Sequence, residues 1–326
     1  MSKKKKITAD NLEITKANDA GTASSAYHIP VLLHSTIGLL QIKPGGIYVD
    51  CTFGGGGHAR AILEKLGPEG RLIAFDQDED ARKNLPDDPR LLFIPQNFRH
   101  LQRFLRLHQV TAVDGILADL GVSSHQFDQG ERGFSIRFEG ELDMRMDQRQ
   151  NQKALDVVRT YSEQQLHKLF EQYGEVTNAK TLAKTIVAAR SITPIRKTED
   201  FKQALRGIVK GNPQKYFAQV FQALRIEVND ELGSLKELLQ QIPDLLKPGG
   251  RVAIITFHSL EDRLVKNFFR QGTFEETEGN PFIMQESRNE LTVITKKPVV
   301  AEPGEIKANS RSRSAKLRVA EKIKKD

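Results

Sequence analysis

The chain has 326 residues, enough for one large domain or two modest ones, and its 38% hydrophobic residues include no run long enough to span a bilayer. With 49 Lys and Arg against 42 Asp and Glu the net charge is +7, which leans toward polyanionic partners without requiring one. A single cysteine, Cys51, excludes an internal disulfide and fits a reducing compartment. The start, Met1-Ser2-Lys3-Lys4-Lys5-Lys6, runs into Ile7-Thr8-Ala9-Asp10 rather than the apolar stretch of a signal peptide, so a soluble, cytoplasmic protein is expected.

Residues 1–26 lack periodicity and read as a disordered basic arm. From Pro30 to Leu40 the apolar positions Val31, Leu32, Leu33, Ile37, Leu39 and Leu40 suit a helix across a sheet edge. Lys43-Pro44-Gly45-Gly46 punctuates the chain before a strand at Ile47–Asp50. That strand runs through Cys51-Thr52-Phe53 into Gly54-Gly55-Gly56-Gly57-His58, and a helical pattern begins at Ala59. Glycine lets the backbone turn with positive φ and lets a ligand approach the main chain, while the first N–H groups of a helix add donors. A second strand, Arg71–Asp76, ends on a carboxylate about twenty residues past the glycines, where it can accept both hydroxyls of a ribose.

These features predict a nucleotide-type cofactor, and both nicotinamide dinucleotides and S-adenosylmethionine fit a strand-end acid. Ala59 sits where a pyrophosphate-binding pattern has its third glycine, and Asp50 at the lip of the turn repels a diphosphate. An acid there suits a ligand with an amino group and a sulfonium charge. Cys51 reads as a small buried residue beside the turn, not a nucleophile.

Further strands at Leu91–Pro95 and Gly115–Asp119 alternate with helices, which predicts a doubly wound parallel sheet. Gly121–Asp147 is irregular and too long for an ordinary connection, yet Phe127, Phe134, Phe138, Leu142, Met144 and Met146 favour order. Helical patterning follows, with Ser162 and Gln165 forming a capping box ahead of Leu166, Leu169, Phe170 and Tyr173. A long helix from Tyr216 to Leu239, broken by Pro243, leads to a second Lys247-Pro248-Gly249-Gly250 and a strand at Val252–Phe257, so that two helices are expected to end alike. A helix at Leu260–Phe269 and strands at Phe282–Gln285 and Leu291–Thr295 complete a seven-stranded sheet with an antiparallel last strand. Basic residues gather in the N-terminal arm, at Arg99, Arg103 and Arg106, from Arg132 to Arg149, and from Arg311 to Lys325.

Eight segments occur in one order: HIPVLL (His28–Leu33), VDCTFGGGGH (Val49–His58), LADLGVSS (Leu117–Ser124), RGFS (Arg132–Ser135), LDMRMD (Leu142–Asp147), FQALRI (Phe221–Ile226), VN.EL (Val228–Leu232) and FHSLEDR.VK (Phe257–Lys266). Together, from Tyr27 to Ala320, they resemble the MraW/RsmH family of bacterial small-subunit ribosomal RNA methyltransferases, which modify the exocyclic amine of a decoding-site cytosine. The resemblance implies S-adenosylmethionine as cofactor and a Rossmann-like α/β methyltransferase fold with an inserted helical subdomain. It divides the chain into a methyltransferase domain at 27–128 and 219–300, an insertion at 129–218 and a basic tail at 301–326. The partner it implies is 16S rRNA in the small ribosomal subunit, without membrane, and it admits a homodimer.

Carried over by position, the family's cofactor contacts fall on Gly56, Gly57, His58, Asp76, Phe98, Asp119 and Gln126. The glycines and His58 would approach the methionine portion, Asp76 the ribose and Phe98 the adenine. Asp119 is expected between cofactor and base, with Asp143 and His258 bordering the base pocket; Asp143 could equally pair with Arg145 or Arg149, and His258 could equally be a satisfied sheet-edge histidine. Phe134 and Phe138, near Arg132, Arg137 and Arg145, could stack on a displaced base and hold phosphates. No metal-ligand cluster of typical spacing is visible. The chain departs from the family pattern at Ser35, at His125, at Gly174-Glu175-Val176 and at Ala218-Gln219-Val220. Two other functions remain compatible: a methyltransferase acting on another RNA base or a protein amine, and a non-catalytic RNA-binding module with a degenerate cofactor pocket.

Overall fold

The computed structural model describes residues 30–274 and 289–324, and the expected arm, His28 and the strand at Phe282–Gln285 lie outside them. Seven strands form one sheet: β1 (Ile47–Asp50), β2 (Arg71–Phe75), β3 (Leu91–Ile94), β4 (Val113–Asp119), β5 (Leu246–Thr256), β6 (Leu291–Val293) and β7 (Lys316–Lys322). Their order is β3-β2-β1-β4-β5-β7-β6, with β7 antiparallel to both neighbours and the other pairings parallel. Leu72–Phe75 of β2, Ile116–Ala118 of β4 and Val252–Ile255 of β5 are continuous buried apolar runs because a parallel sheet buries both faces.

Each face has its own apolar layer. Leu101 and Leu105, Leu235, Leu238 and Ile242, and Val265, Phe268 and Phe269 cover one side. Val31, Leu40, Ile62 and Leu63 cover the other. A third cluster stands apart from both, built by helices from Ala154 to Asn229 together with Phe134, Leu142, Met144 and Met146 of the long loop. That loop is therefore folded by burial of its own apolar residues. The Ser162 capping box forms as the spacing predicts, with Gln165 as its partner. The boundary expected at 218/219 falls inside one continuous helix, Pro213–Asn229, whose Val220, Phe221 and Leu224 pack into the third cluster.

The structure corrects three other expectations. The helix leading back to the sheet is two helices, Pro213–Asn229 and Glu231–Leu245, which meet at Asp230 in the left-handed conformation (φ 46°). Pro243 lies in the last turn of the second and interrupts nothing. The second Lys-Pro-Gly-Gly opens β5, so the two tetrapeptides do not play the same part.

The third correction concerns residues 301–326, which are not a basic tail. They hold a helix, Pro303–Ala308, and β7. Leu317, Val319 and Ala320 are fully buried between β5 and β6, and the intervening cations are neutralised. Arg318 Nε lies 2.6 Å and Lys316 Nζ 3.1 Å from the Asp262 carboxylate, and Lys322 pairs with Glu290. Among the described residues no helix is long and apolar enough to cross a membrane.

Candidate active site

The sheet order reverses between β1 and β4, and ligands of open α/β sheets bind outside the carboxyl ends of strands at such a switch point. A crevice of about 880 Å³ opens there. Its floor is the turn after β1. Gly54 and Gly56 adopt left-handed φ of 51° and 74°. The helix Gly57–Leu63 starts two residues earlier than its apolar pattern indicates, and glycine is required at its first position because a Cβ there would stand 2.1 Å from Pro30 Cγ. At Gly55 an added Cβ would meet no atom within 4 Å and would enter the crevice. Asp76 fastens this turn, its two carboxylate oxygens accepting from the Gly54 N–H at 2.7 Å and the Asp78 N–H at 2.8 Å.

Three carboxyl groups at the strand ends share a shortage of positive charge. Asp50 is 1% exposed, accepts from the Thr52 N–H at 3.0 Å through Oδ1, and has no partner at Oδ2. Burial, with Asp76 nearby, pushes it from 3.8 to about 7. Asp76 is raised to about 6 by burial, with Asp78 adding to the shift. Asp119, held by its N–H on Thr52 Oγ1 at 2.7 Å, has an unpartnered buried Oδ1. Burial, then Asp50 and Glu261, drive its carboxyl well above the ordinary range. His58 brings no compensating charge. Burial lowers its pKa to about 4, its Nε2 sits 3.2 Å from the Val31 carbonyl oxygen, and its Nδ1 faces Asp119 Oδ2 at 3.7 Å.

A cationic ligand relieves this shortage and a diphosphate worsens it. The orphaned oxygen of Asp119 at the crevice, the Asp50 carboxyl buried behind its wall and the open cradle at Gly55 fit S-adenosylmethionine. The pH dependence follows. Asp50 and Asp76 titrate near 7 and 6 in the fold but at the ordinary 3.8 when unfolded, so the ligand-free protein holds extra protons between these limits and loses stability as pH rises through them. Binding of a cation favours the ionised forms. Calorimetry between pH 5.5 and 8 is expected to show affinity for S-adenosylmethionine rising with pH, with proton release at the acidic end of about one proton or less per carboxyl group. A flat profile removes these carboxyls from cofactor binding.

Of the residues expected at the cofactor, Gly57, His58, Asp76, Phe98, Asp119 and Gln126 line the crevice. Gly56 lies behind its wall, under the Phe53 ring, and acts through backbone conformation. Gln126 is buried and fully engaged: its Oε1 accepts from the Ser123 N–H at 3.0 Å and its Nε2 donates to Asp78 Oδ2 at 2.8 Å. It therefore positions Asp78 and the loop after β4.

The substrate side departs further from expectation. Asp143 is not at the crevice. It lines a separate cavity of about 380 Å³ and is bonded to Arg145 Nε at 2.7 Å, with Lys153 Nζ at 3.2 Å. Burial raises its pKa, but the Arg145 hydrogen bonds outweigh that and hold it below the usual range. Arg145 is committed to Asp143 and to the Gln148 and Gln150 carbonyls. Arg132 grips Asp78 and donates to the Arg145 and Met146 carbonyls at 2.7 and 3.1 Å, while Phe134 is buried beneath it with Arg132 Cζ 5.5 Å from the ring centroid. These residues build the loop and offer no face to a base. Arg137 and the 45% exposed Phe138 do line the crevice. His258 stands behind Glu261, its Nε2 3.2 Å from Glu261 Oε1.

The sequence reading missed several wall residues. Asp78, Phe127, Arg225, Glu231, Glu261 and Arg311 all border the crevice. Arg225 grips Glu231 through two contacts of 2.8 and 3.0 Å, and Arg311 lies over the Phe127 ring at 5.2 Å. Asp78 was signalled by the acids that follow Asp76, and Arg225, Glu231 and Glu261 by their place in FQALRI, VN.EL and FHSLEDR.

The sheet order, the antiparallel β7 and a carboxylate-floored crevice at the switch point define a Rossmann-like methyltransferase. The chain belongs to the MraW methylase family, whose profile matches residues 25–323. It is 54% identical over 303 residues to the ribosomal RNA small subunit methyltransferase H of Flavobacterium johnsoniae, covering 93% of this chain and 100% of that protein. It is 50% identical over 297 residues to the protein of the same name from Bacteroides thetaiotaomicron, covering 91% and 97%. A solved rRNA methylase from Streptococcus thermophilus aligns with 90% of this chain and 94% of its own at 12% identity, with a TM-score of 0.39, too slight a likeness to bear on function.

Proposed function

We propose that this chain transfers a methyl group from S-adenosylmethionine to the exocyclic N4 amine of a cytidine in the decoding region of 16S rRNA, acting in the cytoplasm on the small ribosomal subunit. The observation that carries the reading is the unpartnered, buried Asp119 Oδ1 at the crevice floor, between the glycine turn and the wall formed by Arg225, Glu231 and Glu261. When bound, S-adenosylmethionine supplies a methyl group on a positively charged sulfur.

The protein's task is alignment and proton removal. In-line displacement forms an N–C bond as the C–S bond breaks, and holding the partners in that geometry accounts for about 7–11 kcal/mol of barrier lowering. The cytosine amine is a weak nucleophile because its lone pair is delocalised into the ring. Asp119 Oδ1 accepts one of its N–H bonds, which localises the lone pair, and takes the proton released on methylation. A neighbouring positive charge brings Asp119 back toward the carboxylate form that this role requires. Burial raises its affinity for protons, which makes it a better acceptor than an ordinary carboxylate. His58, neutral and fixed on the Val31 carbonyl through Nε2, stands beside Asp119 and brings no charge to it. The small buried Cys51 plays no covalent part.

Phe138 stacks on an unpaired base at the crevice mouth, and Arg137 meets adjacent phosphate. Base stacking on an aromatic ring contributes about 1–3 kcal/mol, so Phe138→Ala is expected to raise the KM for small subunits about tenfold. Arg137→Ala should weaken binding and lower the slope of log K against log salt by about one. Because both side chains are exposed, neither change should shift the thermal midpoint. An unaltered KM in both variants removes this mouth from RNA binding.

The decisive experiment maps modified nucleosides by mass spectrometry in rRNA from cells with and without the protein. Loss of one N4-methylcytidine supports the reading, and an unchanged rRNA profile overturns it. Methylation of another base or of a protein amine would redirect it.

A further inference from the structure

Among the described residues, Glu231, His258 and Glu261 bring one imidazole nitrogen and two carboxylate oxygens to within 4.8 Å of one another. They come from three places: the first turn of the helix Glu231–Leu245, the residue that caps the helix Ser259–Gln271, and the first turn of that helix. Most of their surroundings are already satisfied. Arg225 neutralises Glu231, and Glu261 Oε2 accepts from the Phe257 N–H at 2.8 Å.

His258 is the exception. Its side chain is 8% exposed, its Nδ1 has no partner, and the one polar neighbour of Nε2 is Glu261 Oε1 at 3.2 Å. An imidazole whose single polar contact is a carboxylate oxygen can exchange that contact for a bond to a cation. Its Nε2 is directed into the cluster. With Arg225 counted, the two carboxylates leave about one unit of negative charge for a cation to meet.

We propose that Glu231, His258 and Glu261 form a divalent-cation site in the crevice wall. Mixed nitrogen and carboxylate donors suit Mn²⁺ or Zn²⁺ better than Mg²⁺ or Ca²⁺, which favour oxygen alone. Bonds of about 2.1 Å hold two ligand atoms at most about 4.2 Å apart, so the ion draws the three groups inward by a fraction of an ångström. Glu231 and Glu261 line the crevice, so the remaining coordination positions face it and take water. The ion ties the end of β5 and its following helix to the helix Glu231–Leu245, which fixes the wall opposite the glycine turn. This site stands independently of the assigned methyl acceptor.

Titration of the complete protein with Mn²⁺, followed by loss of the free-ion electron paramagnetic resonance signal, tests the site. The wild type is expected to show one saturable site, with Kd weakened about tenfold or more in His258→Ala and in Glu261→Gln. Mn²⁺ should raise the thermal midpoint of the wild type and leave that of His258→Ala unmoved. If His258→Ala lacks a cooperative melting transition, His258→Gln replaces it. The absence of a saturable site in the wild type, or wild-type affinity in the histidine variant, overturns the proposal.

Discussion

Asp119→Asn is expected to cut the turnover of small-subunit methylation by about a hundredfold to ten-thousandfold, the usual contribution of a placed proton acceptor. The substitution keeps the shape of the side chain and removes the charge. Asparagine at this position can still present an oxygen to an amine N–H but cannot take the proton. Asp119 is fixed at the end of β4 by its own N–H on Thr52 Oγ1, so a replacement of equal size should leave the crevice in place. Affinity for S-adenosylmethionine should fall by a smaller factor, because Asp50 and Asp76 still supply negative charge. Single-turnover methylation of small subunits, alongside calorimetry of cofactor binding, separates the two effects. A turnover within about threefold of wild type would falsify the proton-accepting role, since that is under 1 kcal/mol of transition-state stabilisation.

Arg132→Ala should instead damage the fold. Asp78 is 5% exposed and shares one carboxylate oxygen between Arg132 and Gln126 Nε2, and Arg132 also ties down the Arg145 and Met146 carbonyls. Removing one partner of a buried ion pair leaves the other charged and unpaired, at a cost of about 3–5 kcal/mol. For a protein of this size that corresponds to a fall in thermal midpoint of about 4–7 °C. Arg132→Lys should recover part of it, because a single ammonium cannot make the several guanidinium contacts. Thermal melting decides between this reading and the phosphate contact expected from sequence. An unshifted midpoint with weakened RNA binding would restore Arg132 to the interface.

The contrast between Arg132 and Arg137 marks how far the sequence could be read. That the glycine turn, Asp76 and Asp119 meet at one crevice was legible because each sits at the end of a strand whose apolar run announces it. The same holds for β1 to β4. The structure engages Arg132 and Phe134 within the loop, because a sequence displays charge and aromaticity but not the partner that consumes them, whereas the pairing of Asp143 with Arg145 was one of the outcomes the sequence left open. Phe134 is covered by Arg132, and Arg145 folds back on Asp143 two residues away. Glu231 and Glu261 were missed because thirty residues separate them in the chain, and only the fold brings them together. β7 was hidden by its lysines and arginine. Its alternation of Leu317 and Val319 with cations resembles a solvated tail until Asp262 and Glu290 are seen to neutralise them.

β7 is the last strand to be synthesised, yet it lies between β5 and β6. Chains emerge from the amino end first, so throughout translation β5 keeps a raw, unzipped border, the kind of edge that invites wrong pairing. Asn309, Ser310, Arg311 and Ser314, which complete the crevice, arrive only just before it. A product that lacks this closing segment is thus incomplete in both scaffold and cleft.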